Sequence, residues 1–222
     1  MKIVICGILG KMGTLTHTYA RKLGITVLAG IDTIDTTLLD TPVYDSLNKL
    51  NCSFDCIVDF SHHNLTENLV SYSLTYAIPL LICTTGQTDY ELKLISDASC
   101  LAPIKLVRNT LSGMSIFSKL VHSADELLNS SFDCELIETH HKHKTDAPSG
   151  TAITLSENIH RPCNIHSLRV GGVVGQHSVV FCNNYELITL SHTALNRDAF
   201  ACGALNLAVD LVNSTKTTTN TK

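Results

Sequence analysis

Apolar and polar positions follow two different periods over the first half of the chain. Short, almost continuous apolar runs are typical of strands buried on both faces of a parallel sheet. Between these runs lie longer stretches with apolar residues at helical spacing. The strands are expected at residues 2–6, 26–31, 55–60, 79–83 and 104–107, and the helices at about 11–23, 64–76 and 89–100. Strands that alternate with helices in this way predict βαβ units and a parallel sheet.

The pattern changes in the second half of the chain. Residues 113–128 carry one apolar stripe at helical spacing, and residues 132–139 form a strand-like run that contains Glu135 and Glu138. After a helix that starts at Thr151, further strand-like runs follow without helices between them. These runs are 165–171, 176–182 and 185–191, and a closing helix is expected at 197–212. The runs predict an antiparallel sheet in a second domain.

Composition excludes several classes of protein. The chain has 222 residues, of which 44% are hydrophobic and 16% are charged, so it can bury a substantial core. The net charge of −4, without a basic run, argues against a nucleic-acid surface, and no apolar stretch approaches the roughly 18 residues of a membrane span. Nine scattered cysteines, with no export signal before them, predict reduced thiols and a cytoplasmic protein.

A glycine-rich turn follows the first strand. Gly7, Gly10 and Gly13 are spaced G-x-x-G-x-x-G between a strand and a helix, the context that a dinucleotide-binding fingerprint requires. Gly7 would form the tight turn, Gly10 would let the backbone approach a pyrophosphate, and Gly13 would let the helix pack on the strand. Asp32 follows about 20 residues later, where a partner of the ribose hydroxyls belongs. The alternatives are a plain β-turn-α connection and a solvated loop carboxylate.

Other candidate cofactor residues lie at the ends of predicted strands. Ligands of parallel sheets bind outside the carboxyl ends of the strands. The segments that follow such ends are Gly7–Gly13, Asp32, Thr84–Gly86 and Arg108–Asn109. The topology therefore predicts that these segments converge on one binding site.

The stretch from His140 to Lys144 holds three histidines and two lysines in five positions. If the preceding strand continues through it, His140 and Lys144 share one side and could face one cavity as proton donors. A turn follows, and a helix then starts near Thr151. The N–H groups of Gly150 and Thr151, aided by the hydroxyl of Ser149, could hold a carboxylate there. The stretch therefore predicts an anion site beside a proton source.

Two other interpretations of this stretch remain open. It could be a solvated, positively charged edge strand without chemistry. It could also bind a metal, and the candidate ligand sets are His140, His141, His143 and Cys134, or His160, Cys163 and His166. Zinc ligands usually occur in pairs at regular spacings, and the neighbouring lysines disfavour a cation, so we expect no metal site.

One long run of the sequence is similar to a known family. Between Glu135 and Ala152 the sequence reads E-x-x-E-x-H-H-x-x-K-x-D-A-P-S-G-T-A. This run resembles the signature of the 4-hydroxy-tetrahydrodipicolinate reductases, the bacterial dihydrodipicolinate reductases of diaminopimelate and lysine biosynthesis. Further matches extend over nearly the whole chain and include Gly7–Gly13, Asp59–Ser61, Thr84–Gly86, Arg169–Gly172, His192, Arg197 and Phe200–Ala201.

The resemblance implies a fold and an assembly. It implies an α/β chain with a Rossmann-like, parallel-sheet N-terminal domain and an α+β domain whose mixed sheet is open. Residues 1–109 and 193–222 would bind the dinucleotide, and residues 110–192 would bind the substrate and form a homotetramer. The cofactor would be NADH or NADPH, and the partner a small dicarboxylate substrate, with no role for nucleic acid or membrane.

The resemblance also assigns roles to individual residues. His140 matches the family's proton donor and acceptor, and Lys144 matches its proton donor. The substrate-contact set is His141, Ser149, Gly150 and Thr151. The resemblance and the glycine pattern together predict a set of residues that contact the cofactor. These are Gly7, Ile8, Leu9, Gly10, Lys11, Met12, Gly13, Asp32, Cys83, Thr84, Thr85, Val107, Arg108, Asn109 and Thr110. The implied reaction loses water, delivers hydride to ring carbon C4 and protonates the resulting enamine.

Three departures from the family pattern affect these expectations. Thr33 follows Asp32, where members that favour NADPH often carry arginine, so we expect NADH to be used at least as well as NADPH. Cys83 stands where glycine is usual. Arg108 lies in a segment that differs from the family pattern, and it could contact a cofactor phosphate. The alternatives in function are a non-catalytic dinucleotide-binding sensor and a zinc-dependent hydrolase.

Overall fold

The structure is a computed structural model that describes residues 1–34, 36–38 and 40–219. The chain forms two compact units. The first comprises residues 1–110 and the chain from Phe200 onwards, and the second comprises residues 111–199. Each unit contains its own sheet, one of seven strands and one of four.

The first unit is built on the seven-stranded sheet. Its strands are β1 (Lys2–Cys6), β2 (Thr26–Ile31), β3 (Thr36–Leu38), β4 (Thr41–Tyr44), β5 (Cys56–Asp59), β6 (Leu80–Ile82) and β7 (Ile104–Leu106). In the order β3-β4-β2-β1-β5-β6-β7, every neighbouring pair is parallel except β3 and β4. The predicted parallel sheet is confirmed. The sequence pattern does not predict β3 and β4, because neither strand contains a continuous apolar run of the kind that marks the other strands.

Helices of the first unit pack on both faces of this sheet. They are α1 (Lys11–Lys22), α2 (Thr66–Tyr76) and α3 (Asp89–Ser99). Successive residues of β1 point to opposite faces, so Ile3 and Ile5 belong to one buried cluster while Val4 and Cys6 belong to another. The first cluster contains residues of α1 and the second contains residues of α2 and α3. Burial on both faces explains why the strands read as continuous apolar runs.

The second unit is built on the four-stranded sheet. Its elements are α4 (Ser112–Leu127), β8 (Asp133–His140), α5 (Gly150–Glu157), β9 (Cys163–Arg169), β10 (Gly175–Cys182) and β11 (Leu187–Ala194). The strand order is β11-β10-β8-β9, in which β8 and β9 are parallel and the other pairs antiparallel. The expectation of a purely antiparallel sheet is wrong, because α5 carries the chain from β8 back to a parallel β9. The open mixed sheet implied by the resemblance is confirmed.

The last helix closes the first unit. From Phe200 onwards, α6 (Asp198–Thr219) buries Ala204 and Leu205 in the cluster that holds Ile3 and Ile5. The predicted closing helix is therefore present. Among the described residues, no helix combines the length and the apolar character needed to cross a membrane.

Candidate functional site

The glycine turn of the first unit is a tight loop between β1 and α1. Gly7 adopts the left-handed region, with φ of 72°, which only glycine enters without strain. A Cβ atom on Gly13 would lie 2.1 Å from the carbonyl oxygen of Gly7, so the first turn of α1 packs directly on the loop. Both positions therefore require glycine for the reasons that the sequence pattern predicts.

The N-terminus of α1 is suited to an anion. Gly10 occupies the N-cap position, and no side chain caps the first turn of the helix. Backbone N–H groups at such a terminus attract phosphate groups. The carboxylate of Asp32, just after β2, accepts hydrogen bonds from the Leu9 N–H at 2.9 Å and the Thr33 N–H at 2.8 Å. The structure thus brings Asp32 to the glycine loop, and this set of groups fits a dinucleotide.

A second group of predicted cofactor residues lies at the ends of β5, β6 and β7. Asp59 is fully buried at the end of β5 and accepts hydrogen bonds from the Thr84 hydroxyl at 2.7 Å and the Ser61 N–H at 2.9 Å. Burial raises the pKa of Asp59, although these hydrogen bonds oppose the change. Burial also raises the pKa of the Cys83 thiol well above its ordinary value, so that thiol stays protonated. These contacts join the loops after β5 and β6.

The remaining predicted cofactor residues follow β7. The Val107 N–H donates to the Ile82 carbonyl oxygen at 2.8 Å, which places this segment beside the end of β6. Arg108 is exposed, whereas Thr110 is buried and its hydroxyl donates to the Phe200 carbonyl oxygen at 2.8 Å. The Thr110 side chain therefore anchors α6 rather than facing a ligand. The segment as a whole lies at the same sheet edge as the other predicted cofactor residues.

A buried carboxylate organises the second unit. Glu138 lies on the buried face of β8, with no exposed surface, and it accepts at least four hydrogen bonds. Arg169, at the end of β9, donates two of them, at 2.7 and 2.9 Å. The Ser149 N–H donates a third at 3.1 Å, and Nδ1 of His140 makes the fourth. One carboxylate thus connects the ends of two strands and the start of α5.

Hydrogen bonds and burial together determine the charges of Glu138 and His140. Burial opposes ionisation of Glu138, but the hydrogen bonds from Arg169, Ser167 and His140 outweigh burial and lower its pKa to about 2. Burial lowers the pKa of His140, helped by the charges of Lys144 and Arg169 and opposed by Glu138. Near neutral pH, His140 is therefore an uncharged imidazole beside an ionised carboxylate. Because that carboxylate only accepts, Nδ1 of His140 carries the proton and Nε2 keeps its lone pair.

The structure corrects the reasoning that placed Lys144 beside His140. Strand β8 ends at His140, so the alternation of faces does not extend to Lys144, which lies in the following turn. The Lys144 ammonium instead pairs with the carboxylate of Asp146 at 2.7 Å. The charge of Lys144 still acts on His140, since it lowers that pKa. The turn therefore keeps the Lys144 charge close enough to His140 to act on its pKa.

The residues of the predicted anion site lie at the start of α5. Ser149 is the N-cap, and its hydroxyl accepts a hydrogen bond from the Ala152 N–H at 3.2 Å. Apart from its chain neighbours and the backbone of its own helix, no described residue has an atom within 4 Å of the place where a Cβ atom on Gly150 would stand, so the backbone there is open to a ligand. The Ser149 hydroxyl also lies 3.3 Å from Nε2 of the buried His177. Burial is the largest cause that lowers the pKa of His177, to about 4, so its imidazole is neutral near pH 7.

The comparisons with known proteins cover the whole chain. Residues 1–110 match the family model described as dihydrodipicolinate reductase, N-terminus, and residues 113–222 match the one described as dihydrodipicolinate reductase, C-terminus. The chain belongs to the dihydrodipicolinate reductase family. The family suggested by the sequence signature is therefore confirmed.

Relatives in this family are similar over nearly their full length. The 4-hydroxy-tetrahydrodipicolinate reductase of Clostridium tetani is 34% identical over 92% of this chain and 89% of its own. That of Caldanaerobacter subterraneus is 35% identical over 96% of this chain and 93% of its own. The solved structure of dipicolinate-bound dihydrodipicolinate reductase from Paenisporosarcina sp. TG-14 is 24% identical, with a TM-score of 0.80, and covers 96% of this chain and 95% of that chain. This last likeness shows the shared fold.

The structure bears on the two other interpretations of the histidine stretch, a solvated edge strand and a metal site. A solvated edge strand is wrong, because β8 is an interior strand and His140 is buried. In the ranges 1–34, 36–38 and 40–219, no group of three or more His, Cys, Asp and Glu side chains is placed to hold a metal ion. Two candidate ligands have other partners, since His160 pairs with Asp125 at 3.2 Å and His166 pairs with Glu135 at 2.6 Å.

Reasoning from the sequence missed several residues of both sites. Glu138, Arg169, His177 and Asp59 are absent from the predicted site. A signal existed for Glu138, because it lies two residues before His140 and therefore on the same face of a strand. Arg169 is part of a segment that matches the family, but its place beside His140 depends on the register between β8 and β9, which the sequence does not show.

Proposed function

We propose that the chain catalyses the NAD(P)H-dependent reduction of 4-hydroxy-tetrahydrodipicolinate to tetrahydrodipicolinate, a step of diaminopimelate and lysine biosynthesis. The observation that carries the proposal is the arrangement around His140. A neutral imidazole with a lone pair on Nε2 lies beside a cationic turn and an open helix N-terminus. These groups suit a small anionic substrate that must exchange a proton.

Each group of the second unit has a part in this mechanism. The N–H groups at Gly150 and Thr151, together with His141, bind and orient a substrate carboxylate. His140 and Lys144 hold or deliver the proton required at the carbon next to the reduced one, and the Lys144 charge stabilises electron density that develops there. A bound dihydronicotinamide supplies the hydride. The Lys144 ammonium has three N–H donors, so its pair with Asp146 does not prevent it from donating to a substrate.

The cofactor site of the first unit supports use of both NADH and NADPH. The glycine loop and the N-terminus of α1 hold the diphosphate, and Asp32 accepts a hydrogen bond from a ribose hydroxyl. Thr33 offers no cation to a 2′-phosphate, so NADH is used at least as well as NADPH. Thr84, Thr85 and Arg108 line the same sheet edge and contact the bound cofactor.

We also propose which part of the chain binds each ligand and how the subunits assemble. Residues 1–109 and 193–222 bind the dinucleotide, and residues 110–192 bind substrate and join four copies into a homotetramer. The open sheet of the second unit supports this assembly, because one of its faces is left partly exposed. The proposed reaction consumes reduced nicotinamide and is carried out in the cytoplasm, where the nine free thiols stay reduced.

An NADH-oxidation assay tests the proposal. The unstable substrate is made in situ by a coupled synthase, and turnover is followed for the wild type, His140→Ala and Lys144→Ala. Each variant is expected to lower kcat by about 10²–10⁴, the usual contribution of general acid–base catalysis, while NADH binding by fluorescence stays unchanged. Near-wild-type turnover in either variant would remove that residue from the chemistry. Binding of NADH without any turnover by the wild type would instead favour a dinucleotide sensor.

A further inference from the structure

The carboxylate of Glu138 contacts both chemical elements of the proposed substrate site. Its Oε2 atom accepts one hydrogen bond from Nδ1 of His140 and another from Nη1 of Arg169, at 2.9 Å. Oε1 accepts from Nη2 of Arg169 at 2.7 Å and from the Ser149 N–H, at the start of α5, at 3.1 Å. The site thus rests on one charge pair that is itself buried, with 0% of the Glu138 side chain and 17% of the Arg169 side chain exposed.

We infer that Glu138 and Arg169 form a positioning pair that fixes the tautomer of His140 and ties the Lys144 turn to the same point. The kinetic part of this inference rests on the proposed function. Neither residue of the pair needs to touch the substrate. Glu138 acts through His140, and Arg169 acts through Glu138 and through the carbonyl oxygen of Asp146, to which Nη2 donates at 2.5 Å.

The tautomer follows from the kinds of partner that surround Glu138. The Arg169 guanidinium and the Ser149 N–H only donate, and an ionised carboxylate only accepts. His140 must therefore present an N–H at Nδ1, which leaves Nε2 as the atom that exchanges a proton. Nε2 is directed towards Gly175, where an added Cβ atom would lie 3.2 Å away.

The charged and titratable groups around His140 come from every neighbouring segment. Glu138 lies on its own strand, Arg169 on β9, and His177 on β10 with its ring centroid 5.3 Å from that of His140. Lys144 and Asp146 form an ion pair in the turn that follows β8. Because Arg169 offsets the Glu138 charge, the carboxylate orients His140 without holding it in the cationic form.

Replacing Glu138 by glutamine separates orientation from packing, because the two side chains have nearly the same shape. The glutamine oxygen is needed at the Oε1 position, because the two partners there, Nη2 of Arg169 and the Ser149 N–H, can only donate. The amide NH₂ group then takes the Oε2 position, where it faces Nδ1 of His140, which can change from donor to acceptor. Nη1 of Arg169 cannot change in this way and loses its acceptor there. Glu138→Gln therefore moves the His140 proton from Nδ1 to Nε2. A merely structural role would not produce this change.

Nitrogen-15 NMR of histidine-labelled full-length protein measures the tautomer without any substrate. We expect Nδ1–H for neutral His140 in the wild type, Nε2–H in Glu138→Gln, and a lower His140 pKa in that variant because a negative charge is lost. The matched control is Glu135→Gln, which removes a Glu–His pair on the opposite, exposed face of the same strand and should leave His140 unchanged. A wild-type Nε2–H tautomer would overturn the inference even if Glu138→Gln failed to fold.

Steady-state kinetics give the second measurement. In Glu138→Gln, kcat should fall by about 10²-fold or more while the KM for NADH stays within about twofold, because the change affects proton transfer alone. Arg169→Lys keeps the charge but cannot bridge both carboxylate oxygens, so kcat should fall less and the tautomer should stay Nδ1–H. Wild-type kcat in Glu138→Gln would sink the inference and leave the proposed function intact. If the tautomer changes but the wild type has no reductase activity, the inference about Glu138 is supported and the proposed function is contradicted.

Discussion

At the scale of single residues, the choice between NADH and NADPH depends on the side chain after Asp32. Thr33 is exposed, and its N–H already donates to the Asp32 carboxylate. Thr33→Arg would place a guanidinium where a 2′-phosphate lies, and a charge-assisted hydrogen bond of about 1.5–3 kcal/mol corresponds to roughly a tenfold to hundredfold gain. We expect kcat/KM for NADPH to rise by that factor relative to NADH. Ile34→Arg adds the same charge one residue further along, and an equal gain there would contradict a specific phosphate contact.

The packing of Gly13 gives a second prediction at this scale. The added methyl group of Gly13→Ala would overlap the Gly7 carbonyl oxygen, which is backbone and cannot rotate away. We expect a loss of about 1–3 kcal/mol in the free energy of unfolding and a marked loss of NADH affinity. Urea unfolding and fluorescence titration measure the two effects. Gly172→Ala, where no atom lies within 4 Å of the added group, should change neither quantity; a Gly13→Ala protein that binds NADH normally would contradict the proposed cofactor site.

The histidine stretch illustrates how far single residues could be predicted from the sequence. The types of residue at His140, Lys144 and Gly150 were enough to predict a proton source beside an anion site. Their arrangement was not, because the end of β8 at His140 is set by tertiary contacts rather than by local propensity. The sequence places Glu138 in the strand, but only its burial in the folded protein distinguishes it from other charged residues.

At the scale of elements, the ion pair between β8 and β9 makes stability depend on pH. The pKa of Glu138 is about 2 in the folded protein against an ordinary value of 4.5. A lowered pKa contributes stability that is fully present above pH 4.5 and is lost as the pH falls towards 2. A shift of this size corresponds to about 3 kcal/mol.

Comparison of the wild type with Glu138→Gln isolates this contribution. We expect the free energy of unfolding of the wild type to exceed that of the variant at neutral pH, and the difference to shrink as the pH falls from about 4.5 to 2. Urea unfolding curves at several pH values measure it. Other carboxylates with lowered pKa values, such as Asp125, contribute equally to both proteins and cancel. A difference that does not change with pH would mean that the Glu138 charge does not stabilise this pair of strands.

Elements were predicted best where burial leaves a strong pattern. The strands of the parallel sheet are apolar on both faces, so β1, β2, β5, β6 and β7 could be found from the sequence alone. The direction of β9 could not, because a strand has the same pattern whether its neighbour is parallel or antiparallel. The direction was set instead by α5, whose length allows the crossover that a parallel pair needs.

At the scale of the whole molecule, the four-stranded sheet has one face that the second unit leaves partly exposed. Side chains on this face alternate with the buried ones along the two interior strands, β8 and β10. Several are apolar, and those with the largest exposed fractions are Leu187 (60%), Leu168 (46%) and Ile137 (37%). An apolar sheet face of this kind is usually covered by another surface. We therefore expect this face to form the interface of the proposed homotetramer.

Ile137→Lys tests that interface, because it puts a charge in the middle of the face on an interior strand of the sheet. Burying an unpaired charge between subunits is costly, so we expect light scattering after size exclusion to show dissociation into smaller species. The side chain already has water around it in the single chain, so circular dichroism should stay unchanged. The matched control is Leu101→Lys, which alters an 80% exposed leucine of the first unit and should keep the wild-type mass. A tetramer that survives Ile137→Lys would show that the subunits associate through another surface.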